Sequence, residues 1–325
     1  MRTIDWVDGC PQIVDQTALP DDVRLVSLST VDAVVDAIRR LAVRGAPALG
    51  VAGAMGVALA AKLGSDVDDA VRRIRAARPT AVNLAWGVDR AAAYLPDGPE
   101  AVLAEALAIR DGELAASLEM GRRGGDLLQE LAGEHIRVLT HCNTGGLATV
   151  EYGTALAAVR SLYERGCLAE VLVSESRPLL QGARLTAWEL GESGIAHRLI
   201  ADSAGPFLMA RGQVDAVVLG ADRICANGDV VNKIGTYAHA LGAQAAGIPF
   251  VVVAPESTVD VATKSGADVD IEDRDGSELL EFAGRHTAPY DTVALNPAFD
   301  VTPYALVTAI VTDARVIRLD RGDRL

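Results

Sequence analysis

A cysteine at the end of a predicted strand is the residue of this sequence best suited to chemistry. An apolar stretch ending at Leu139 predicts a short buried strand, residues 143–146 predict a turn, and a helix is predicted from Leu147 onward. Cys142 would then lie at the carboxyl end of a strand, where ligands bind α/β sheets and helix amides favour anions, including a thiolate. The alternative is a buried structural cysteine. The glycine-rich turn and the polar residues on both sides of Cys142 favour the reactive interpretation.

A carboxyl group follows a second apolar run in a similar way. The run Ala216–Leu219 predicts another buried strand, and Asp222 follows it closely. A carboxyl group there should be partly desolvated, which favours the protonated form that a proton donor needs. Asp222 could instead cap the following turn. Cys142 and Asp222 together form the acid/base pair that we predict.

Two arginines stand before predicted helix starts, an arrangement typical of an anion site. Arg44 is followed by Gly-Ala-Pro, and Arg78 by Pro-Thr. A proline in the first turn of a helix leaves neighbouring amides free, and a guanidinium beside them can bind an anion. Either residue alone could be an ordinary loop arginine. Their repetition in an acidic protein favours a shared anionic ligand.

Gln181 and Lys233 extend this prediction. Gln181 opens a predicted helix, where its amide and the free backbone amides could bind phosphate without adding charge. Lys233 is predicted at the N-terminus of another helix, where the dipole disfavours a cation unless an anion is also bound. We therefore predict one phosphate site formed by Arg44, Arg78, Gln181 and Lys233.

Common nucleotide-binding and nucleophile motifs do not occur in the sequence. It contains no GxGxxG, GxxxxGK[ST] or GxSxG motif, and no histidine-rich or clustered carboxylate pattern typical of a metal site. The residues alone therefore indicate an enzyme without cofactor or metal, which acts on a small phosphorylated molecule by proton transfer.

The first 132 residues predict a small, mostly helical domain. Residues 1–20 predict short antiparallel strands around a hairpin, and a helix is predicted after the hydroxyl N-cap at residues 29–30. A long helix is predicted from Pro99 to Leu131, with fraying at three glycines: Gly121, Gly124 and Gly125. We place a domain boundary near residue 133, which divides the chain into residues 1–132 and 133–325.

The second part of the chain alternates short apolar runs with helical stretches. This alternation of predicted strands and helices indicates βαβ units and a parallel sheet, and therefore an α/β fold. Strands are predicted at Val138, Val171–Val173, Leu199–Ile200, Ala216–Leu219, Phe250–Val253 and Thr292–Leu295. The acidic run Asp268–Asp275 is predicted to be a solvated loop.

Composition excludes several classes of partner. The 325-residue chain has a formal net charge of −14, from 30 basic and 44 acidic residues, which argues against nucleic-acid and membrane surfaces. Four separated cysteines favour neither a disulfide framework nor a zinc cluster, and fit a reducing cytoplasm. We expect no signal peptide, and the glycine-rich apolar stretch Ala46–Ala61 predicts a buried helix.

Several segments, spread over nearly the whole chain, resemble the methylthioribose-1-phosphate isomerase family. They are Met1–Trp6, Asp15–Pro20, Arg44–Ala48, Arg78–Asn83, Thr140–Gly145, Arg177–Leu190, Gly220–Ile224, Asn227–Asp229, Asn232–Tyr237 and Asn296–Pro303. The resemblance implies that Cys142 and Asp222 are the catalytic pair. It also implies that Arg44, Arg78, Gln181 and Lys233 hold a phosphate, and that Gly45, Ala46 and Asn232 line the sugar.

The resemblance further implies a small N-terminal domain joined to a Rossmann-like C-terminal domain, a homodimer, and a cytoplasmic role in methionine salvage. Two segments depart from the family pattern. Residues 174–177 read Ser-Glu-Ser-Arg where an Asp-Glu-Thr-Arg type sequence is expected, and residues 202–206 lack the expected Asp-Asn start. Both departures leave the catalytic pair intact but bear on sugar specificity.

Related families suggest two alternatives. One is an isomerase of a similar sugar phosphate such as ribose 1,5-bisphosphate, which would need a second cationic pocket where a methylthio group needs an apolar one. The other is a non-catalytic regulatory subunit of a translation-factor nucleotide exchange complex, which would have no need of both Cys142 and Asp222.

Overall fold

The computed structural model describes residues 2–64, 66–79 and 81–325. Met1 and Thr80 belong to two of the segments that resemble the family, and both lie outside the described residues, as does Ser65.

The chain begins with the predicted antiparallel hairpin. Strands β1 (Ile4–Val7) and β2 (Cys10–Val14) pair through a turn at Asp8 and Gly9, whose backbone φ angles are both positive. Such φ angles belong to the turn types that match the twist of a hairpin. A third strand, β3 (Leu25–Ser27), pairs antiparallel with β2.

Helices make up the rest of the first part. They are α1 (Val31–Arg39), α2 (Ala46–Leu63), α3 (Val67–Arg75), α4 (Val82–Ala92) and α5 (Pro99–Ala132). The side chain of Thr30 caps α1 by accepting a hydrogen bond from the amide of Ala33. Helix α2 is long and apolar enough to cross a membrane, but 78% of it is buried within the protein, so it is accounted for as a core helix.

Helix α5 corrects one prediction, because it continues through all three glycines instead of fraying at Gly121, Gly124 and Gly125. These glycines face α6 (Ala155–Glu164). A Cβ added to Gly124 would lie 2.7 Å from the Cβ of Ala158, and one added to Gly125 would lie 2.6 Å from Oγ of Ser161. The glycines therefore allow the two helices to approach closely, and this packing outweighs their low helix propensity.

The remaining strands and helices form the second part. The strands are β4 (Ile136–Thr140), β5 (Leu168–Ser174), β6 (His197–Ile200), β7 (Ala216–Leu219), β8 (Arg223–Cys225), β9 (Val230–Lys233), β10 (Phe250–Val253), β11 (Val259–Asp260), β12 (Glu281–Phe282), β13 (Arg285–His286), β14 (Phe299–Thr302), β15 (Ala309–Val311) and β16 (Val316–Ile317). The helices after α6 are α7 (Ala187–Glu192), α8 (Ala204–Ala210), α9 (Thr236–Ala246) and α10 (Ser277–Leu280).

A large sheet runs in the order β16-β15-β10-β7-β4-β5-β6. Its pairs are parallel except for β15 with β16, which confirms the predicted α/β class. The strand predicted at Thr292–Leu295 is wrong. That segment is an exposed loop, in which Val293 is 94% accessible to solvent, and the buried strand β15 takes the place in the sheet. A short apolar run in a sequence does not show which strand will pair with it or which side chains will bury it.

A smaller sheet, in the order β11-β8-β9-β14, was not predicted. Strands β9 and β14 pair antiparallel, which places Lys233 opposite Phe299. Apolar clusters form the core of the first part and cover both faces of the large sheet. The division of the chain at residue 133 stays a prediction, and α5 packs against both α2 and α6.

Candidate active site

Strands β4 and β7 are neighbours in the large sheet, and the loops after their carboxyl ends place Cys142 and Asp222 on the same cavity. Most of the other predicted site residues border this cavity too. Its lining includes Leu41, Arg44, Gly45, Arg78, Cys142, Leu179, Gln181, Asp222, Lys233, Arg274 and Phe299.

Two predicted sugar-lining residues lie outside this first cavity. Ala46 borders an adjoining cavity of about 310 Å³, which shares Arg78, Asp222 and Phe299 with the first. Asn232 is buried and does not line either of these two cavities; its Nδ2 donates to Oγ1 of Thr236 at 3.0 Å.

Cys142 is held by its backbone in a left-handed conformation, with a φ angle of 58°. Its N–H donates to Oγ of Ser176 at 2.7 Å, and its carbonyl accepts from Oγ1 of Thr186 at 2.6 Å. The helix predicted from Leu147 onward is present as α6, but its predicted start is wrong, because only a short 3₁₀ turn occurs at Leu147 and α6 begins at Ala155. A regular helix N-terminus therefore does not follow Cys142 directly, and nearby side chains organise its loop instead.

Arg44 is fixed by two contacts with Asn143. Its Nη1 donates to Oδ1 of Asn143 and its Nη2 donates to the carbonyl of the same residue, both at 3.0 Å. Asn143 in turn donates from Nδ2 to Oε1 of Glu189, at 2.8 Å. Glu189 is a further residue at the site that its local sequence does not indicate. Its only signal was its place inside the long resembling segment Arg177–Leu190, because a glutamate in a helical pattern is ordinarily a surface residue.

The acidic run Asp268–Asp275 is not simply a solvated loop, which corrects another prediction. Glu272 pairs with Arg78 at 3.4 Å and with Arg274 at 3.1 Å, and the Arg274 side chain borders the first cavity. The run therefore forms one wall of the site. Arg274 is a further basic residue at this cavity that sequence reasoning missed, because its acidic neighbours masked it.

Lys233 ends strand β9, two residues before the N-cap of α9, instead of lying within the first turn of that helix. Its Nζ donates to the carbonyl of Ala298 at 3.0 Å and lies 4.7 Å from the centre of the Phe299 ring. Burial lowers the pKa of Lys233, and the positive charges of Arg78 and Arg44 act in the same direction. A bound anion would relieve this concentration of positive charge.

Gln181 is buried at the edge of a π-helical turn, Gly182–Thr186, which leads into α7. Its Oε1 has no hydrogen-bond partner within the described residues. Buried polar atoms are normally paired. This amide oxygen can therefore accept a further hydrogen bond at a cavity that is rich in basic groups.

The residues that depart from the family pattern lie beneath Cys142. Asp202 accepts hydrogen bonds from the Ser174 hydroxyl and from the amides of Ser176 and Arg177. Burial alone would raise the pKa of Asp202, but these hydrogen bonds lower it. His141 lies in the same region, and burial lowers its pKa, which favours the neutral ring. These groups form hydrogen bonds with one another. The two departures from the family pattern therefore change the residues that support Cys142 more directly than the residues that line the cavity.

Within the described part of the chain, no cluster of three or more histidine, cysteine, aspartate or glutamate side chains could hold a metal ion.

Comparison with known families and proteins gives consistent matches. A profile of the initiation factor 2 subunit family matches residues 42–318. A probable bifunctional methylthioribose-1-phosphate isomerase/methylthioribulose-1-phosphate dehydratase from Nocardia farcinica is 54% identical over 98% of this chain, which spans 60% of that longer protein. Methylthioribose-1-phosphate isomerase from Anaeromyxobacter sp. strain K is 53% identical over 94% of this chain and 90% of its own length. A 5-deoxyribose 1-phosphate isomerase from Moorella thermoacetica is 48% identical, over 97% and 93% of the two chains.

Two solved structures share the fold over 98% of this chain. Crystalline 5-methylthioribose 1-phosphate isomerase from Pyrococcus horikoshii has 40% identity and a TM-score of 0.90, with 92% of its chain covered. The delta subunit of translation initiation factor eIF-2B from A. fulgidus has 43% identity and a TM-score of 0.85, with 96% covered.

Proposed function

The chain belongs to the initiation factor 2 subunit family, and from this premise we propose that it interconverts 5-methylthioribose 1-phosphate and 5-methylthioribulose 1-phosphate in methionine salvage. One observation supports this most strongly: Cys142 and Asp222 border a single cavity together with Arg44, Arg78 and Lys233. An acid/base pair beside a cluster of cations suits proton transfer on a phosphorylated sugar.

The cationic side of the cavity is the proposed phosphate site. Arg44, Arg78 and Lys233 supply positive charge, and Gln181 borders the same cavity, where the Nε2 of its amide is the group that can donate to a phosphate oxygen. A guanidinium binds phosphate oxygens in a fixed planar geometry, whereas the lysine acts as a point charge. The lowered pKa of Lys233 fits this role, because a buried ammonium among arginines is stabilised by an anion.

The proposed reaction begins with ring opening, because a sugar with phosphate esterified at C1 has no free aldehyde. Asp222 donates a proton to the ring oxygen as the bond between C1 and that oxygen breaks, and Cys142 removes the proton from C2. The product of this step is a phospho-enol(ate). Reprotonation at C1 and formation of the C2 carbonyl then yield the ketose. Each positioned acid or base typically contributes about 10²- to 10⁴-fold to the rate.

The adjoining cavity supports an apolar substituent at C5. Its apolar lining includes Leu49, Val82, Val231, Val269 and Phe299. Three carboxylates and two guanidinium groups also border it: Asp222, Asp268, Asp270, Arg78 and Arg223. The guanidinium of Arg223 is engaged with Asp260, at 3.5 Å. Carboxylates outnumber guanidinium groups in this lining, and Arg78 is also assigned to the phosphate at C1. The carboxylates and apolar side chains therefore favour a methylthio sugar over ribose 1,5-bisphosphate.

A second candidate substrate is 5-deoxyribose 1-phosphate, since a relative with 48% identity is named for that activity. The adjoining cavity of about 310 Å³, part of whose lining is apolar, has room for either a methyl or a methylthio group. The two substrates then differ in the size of the substituent at C5. One extra methylene-sized group in an apolar pocket typically changes kcat/KM about 10- to 200-fold.

A non-catalytic role is suggested by the likeness to a translation-factor subunit. The shared cavity of Cys142 and Asp222 supports an enzyme instead, because a binding module needs no such pair. We further propose that the protein acts as a cytoplasmic homodimer without metal or nucleotide.

One assay tests the substrate, the cofactor and the catalytic role together. Purified protein is treated exhaustively with a chelator and then given methylthioribose 1-phosphate, 5-deoxyribose 1-phosphate or ribose 1,5-bisphosphate. We expect conversion of the first at the highest kcat/KM and little of the bisphosphate. Activity lost with chelator and restored by a divalent ion would contradict the cofactor-free reaction, and no conversion of any sugar would favour the non-catalytic role.

A further inference from the structure

A buried glutamate lies beneath the loop that follows Cys142. The Glu189 side chain on α7 is only 5% exposed. Its Oε2 accepts from the amide of Gly146 at 2.7 Å, and its Oε1 accepts from the amide of Leu147 at 3.3 Å. Arg160 pairs with it at 3.4 Å, which compensates the buried charge. Glu189 therefore joins α7 to the backbone of the site loop.

The same carboxylate determines how the Asn143 amide is oriented. Nδ2 of Asn143 donates to Oε1 of Glu189 at 2.8 Å and to Oγ1 of Thr186 at 3.2 Å. A carboxylate only accepts hydrogen bonds, so the amide nitrogen of Asn143 must face Glu189 and its oxygen must face the other way. In the opposite orientation, Oδ1 would face the carboxylate and Nδ2 would face the guanidinium of Arg44. Both of those contacts would be repulsive.

The oriented amide then positions Arg44. Oδ1 and the carbonyl of Asn143 accept from the two Nη atoms of Arg44, each at 3.0 Å, which fixes the plane of the guanidinium at the edge of the cavity. We infer that Glu189 is a positioning residue for phosphate binding, which acts on Arg44 through Asn143. This inference rests on the proposed phosphate site and assigns to that site a support that does not touch the ligand.

A double-mutant cycle with inorganic phosphate as the probe tests this link. The variants are Glu189→Gln, Arg44→Met and their combination, and calorimetry measures phosphate affinity in each. Glu189→Gln should weaken binding about tenfold in the otherwise unchanged protein, because one oxygen becomes a donor that faces other donors. In the Arg44→Met background the same substitution should have little further effect, since the residue through which it acts is gone.

Glu192→Gln is the matched control, because Glu192 is on the same helix but exposed. It should leave phosphate affinity unchanged. An equal loss of affinity from Glu189→Gln in both backgrounds, or no loss in either, would overturn the inference. Normal phosphate binding by Arg44→Met would instead contradict the proposed phosphate site. The experiment therefore distinguishes a failure of that site from a failure of the inference about Glu189.

Asn143→Leu keeps the test decisive if Glu189→Gln does not fold. This variant removes the intermediate amide but leaves Glu189 bonded to the amides of Gly146 and Leu147. Phosphate affinity should fall several-fold, again with little effect once Arg44 is methionine. In substrate kinetics, KM should rise more than kcat falls. Normal phosphate binding by a folded Asn143→Leu variant would overturn the link.

Discussion

At the scale of residues, Cys142 and Asp222 are proposed to act at different steps, which substitutions can separate. Cys142→Ser replaces the thiol with a hydroxyl, which is a very poor base near neutral pH, so turnover should fall about 10²- to 10⁴-fold. Exchange of the C2 proton with solvent deuterium should fall with it. Asp222→Asn keeps the size of the side chain but removes the proton donor, so a comparable fall in kcat is expected.

Inorganic phosphate binding is the control for both variants, because neither side chain is assigned to hold the phosphate. Near-normal turnover by Cys142→Ser would show that another group is the base. Asp222→Asn that loses only affinity would show that Asp222 binds substrate and does not donate a proton.

Arg78 tests the cationic side of the site. Arg78→Met removes a charge-assisted contact worth about 1.5–3 kcal/mol, so the KM for the sugar phosphate should rise at least tenfold with kcat less affected. Thermal unfolding should change little, because the ion pair of Arg78 with Glu272, at 3.4 Å, is partly exposed. Arg39→Met, an exposed residue of α1, is the control.

Glu272→Gln should change phosphate affinity in the opposite direction to Arg78→Met. The carboxylate of Glu272 neutralises part of the charge on Arg78 and Arg274, and so competes with a bound phosphate. Its loss should tighten phosphate binding about two- to fivefold, as expected for a partly exposed ion pair. Weaker phosphate binding in Glu272→Gln would show that the carboxylate mainly holds the arginines in place.

At the scale of elements, the contact between α5 and α6 depends on glycine. Gly124→Ala should destabilise the protein by about 1–3 kcal/mol, because the added Cβ would lie 2.7 Å from the Cβ of Ala158. Gly112→Ala is the matched control, since Gly112 is in the same helix and an added Cβ would have nothing within 4 Å. This variant should stabilise the protein by about 0.5–1 kcal/mol. Chemical denaturation of both variants measures the difference. Equal stability of the two would mean that α5 and α6 can move apart at no cost.

At the scale of the whole molecule, the homodimer stays a prediction that solution mass can check. Strand β6 is at the edge of the large sheet, and the exposed fractions of Leu199 and Phe207 nearby in the chain are 50% and 62%. Such exposed apolar side chains beside a sheet edge often mark an interface. Sedimentation equilibrium should give twice the 33.9 kDa mass of the chain. A single-chain mass at micromolar concentration would contradict the prediction.

Local patterns in the sequence determined the α/β class, the first hairpin, the N-cap of α1 and most strands of the large sheet. Apolar periodicity and turn residues act over a few neighbouring positions, so these features can be predicted without knowing what packs on them. The same patterns indicated Cys142 and Asp222, because each follows a buried strand and the ends of adjacent parallel strands meet at one edge.

Only the tertiary structure decided which distant residues share a contact. The apolar run at Thr292–Leu295 has the appearance of a strand but lies exposed, whereas Ala309–Val311 pairs with β10. The continuity of α5 depends on α6, and the wall formed by the acidic run depends on Arg78, 194 positions away from Glu272 in the chain. Glu189 has no local signal at all, since its role arises from contacts with a loop more than 40 residues earlier. Packing between segments far apart in the chain sets these features, and local periodicity contains no information about it.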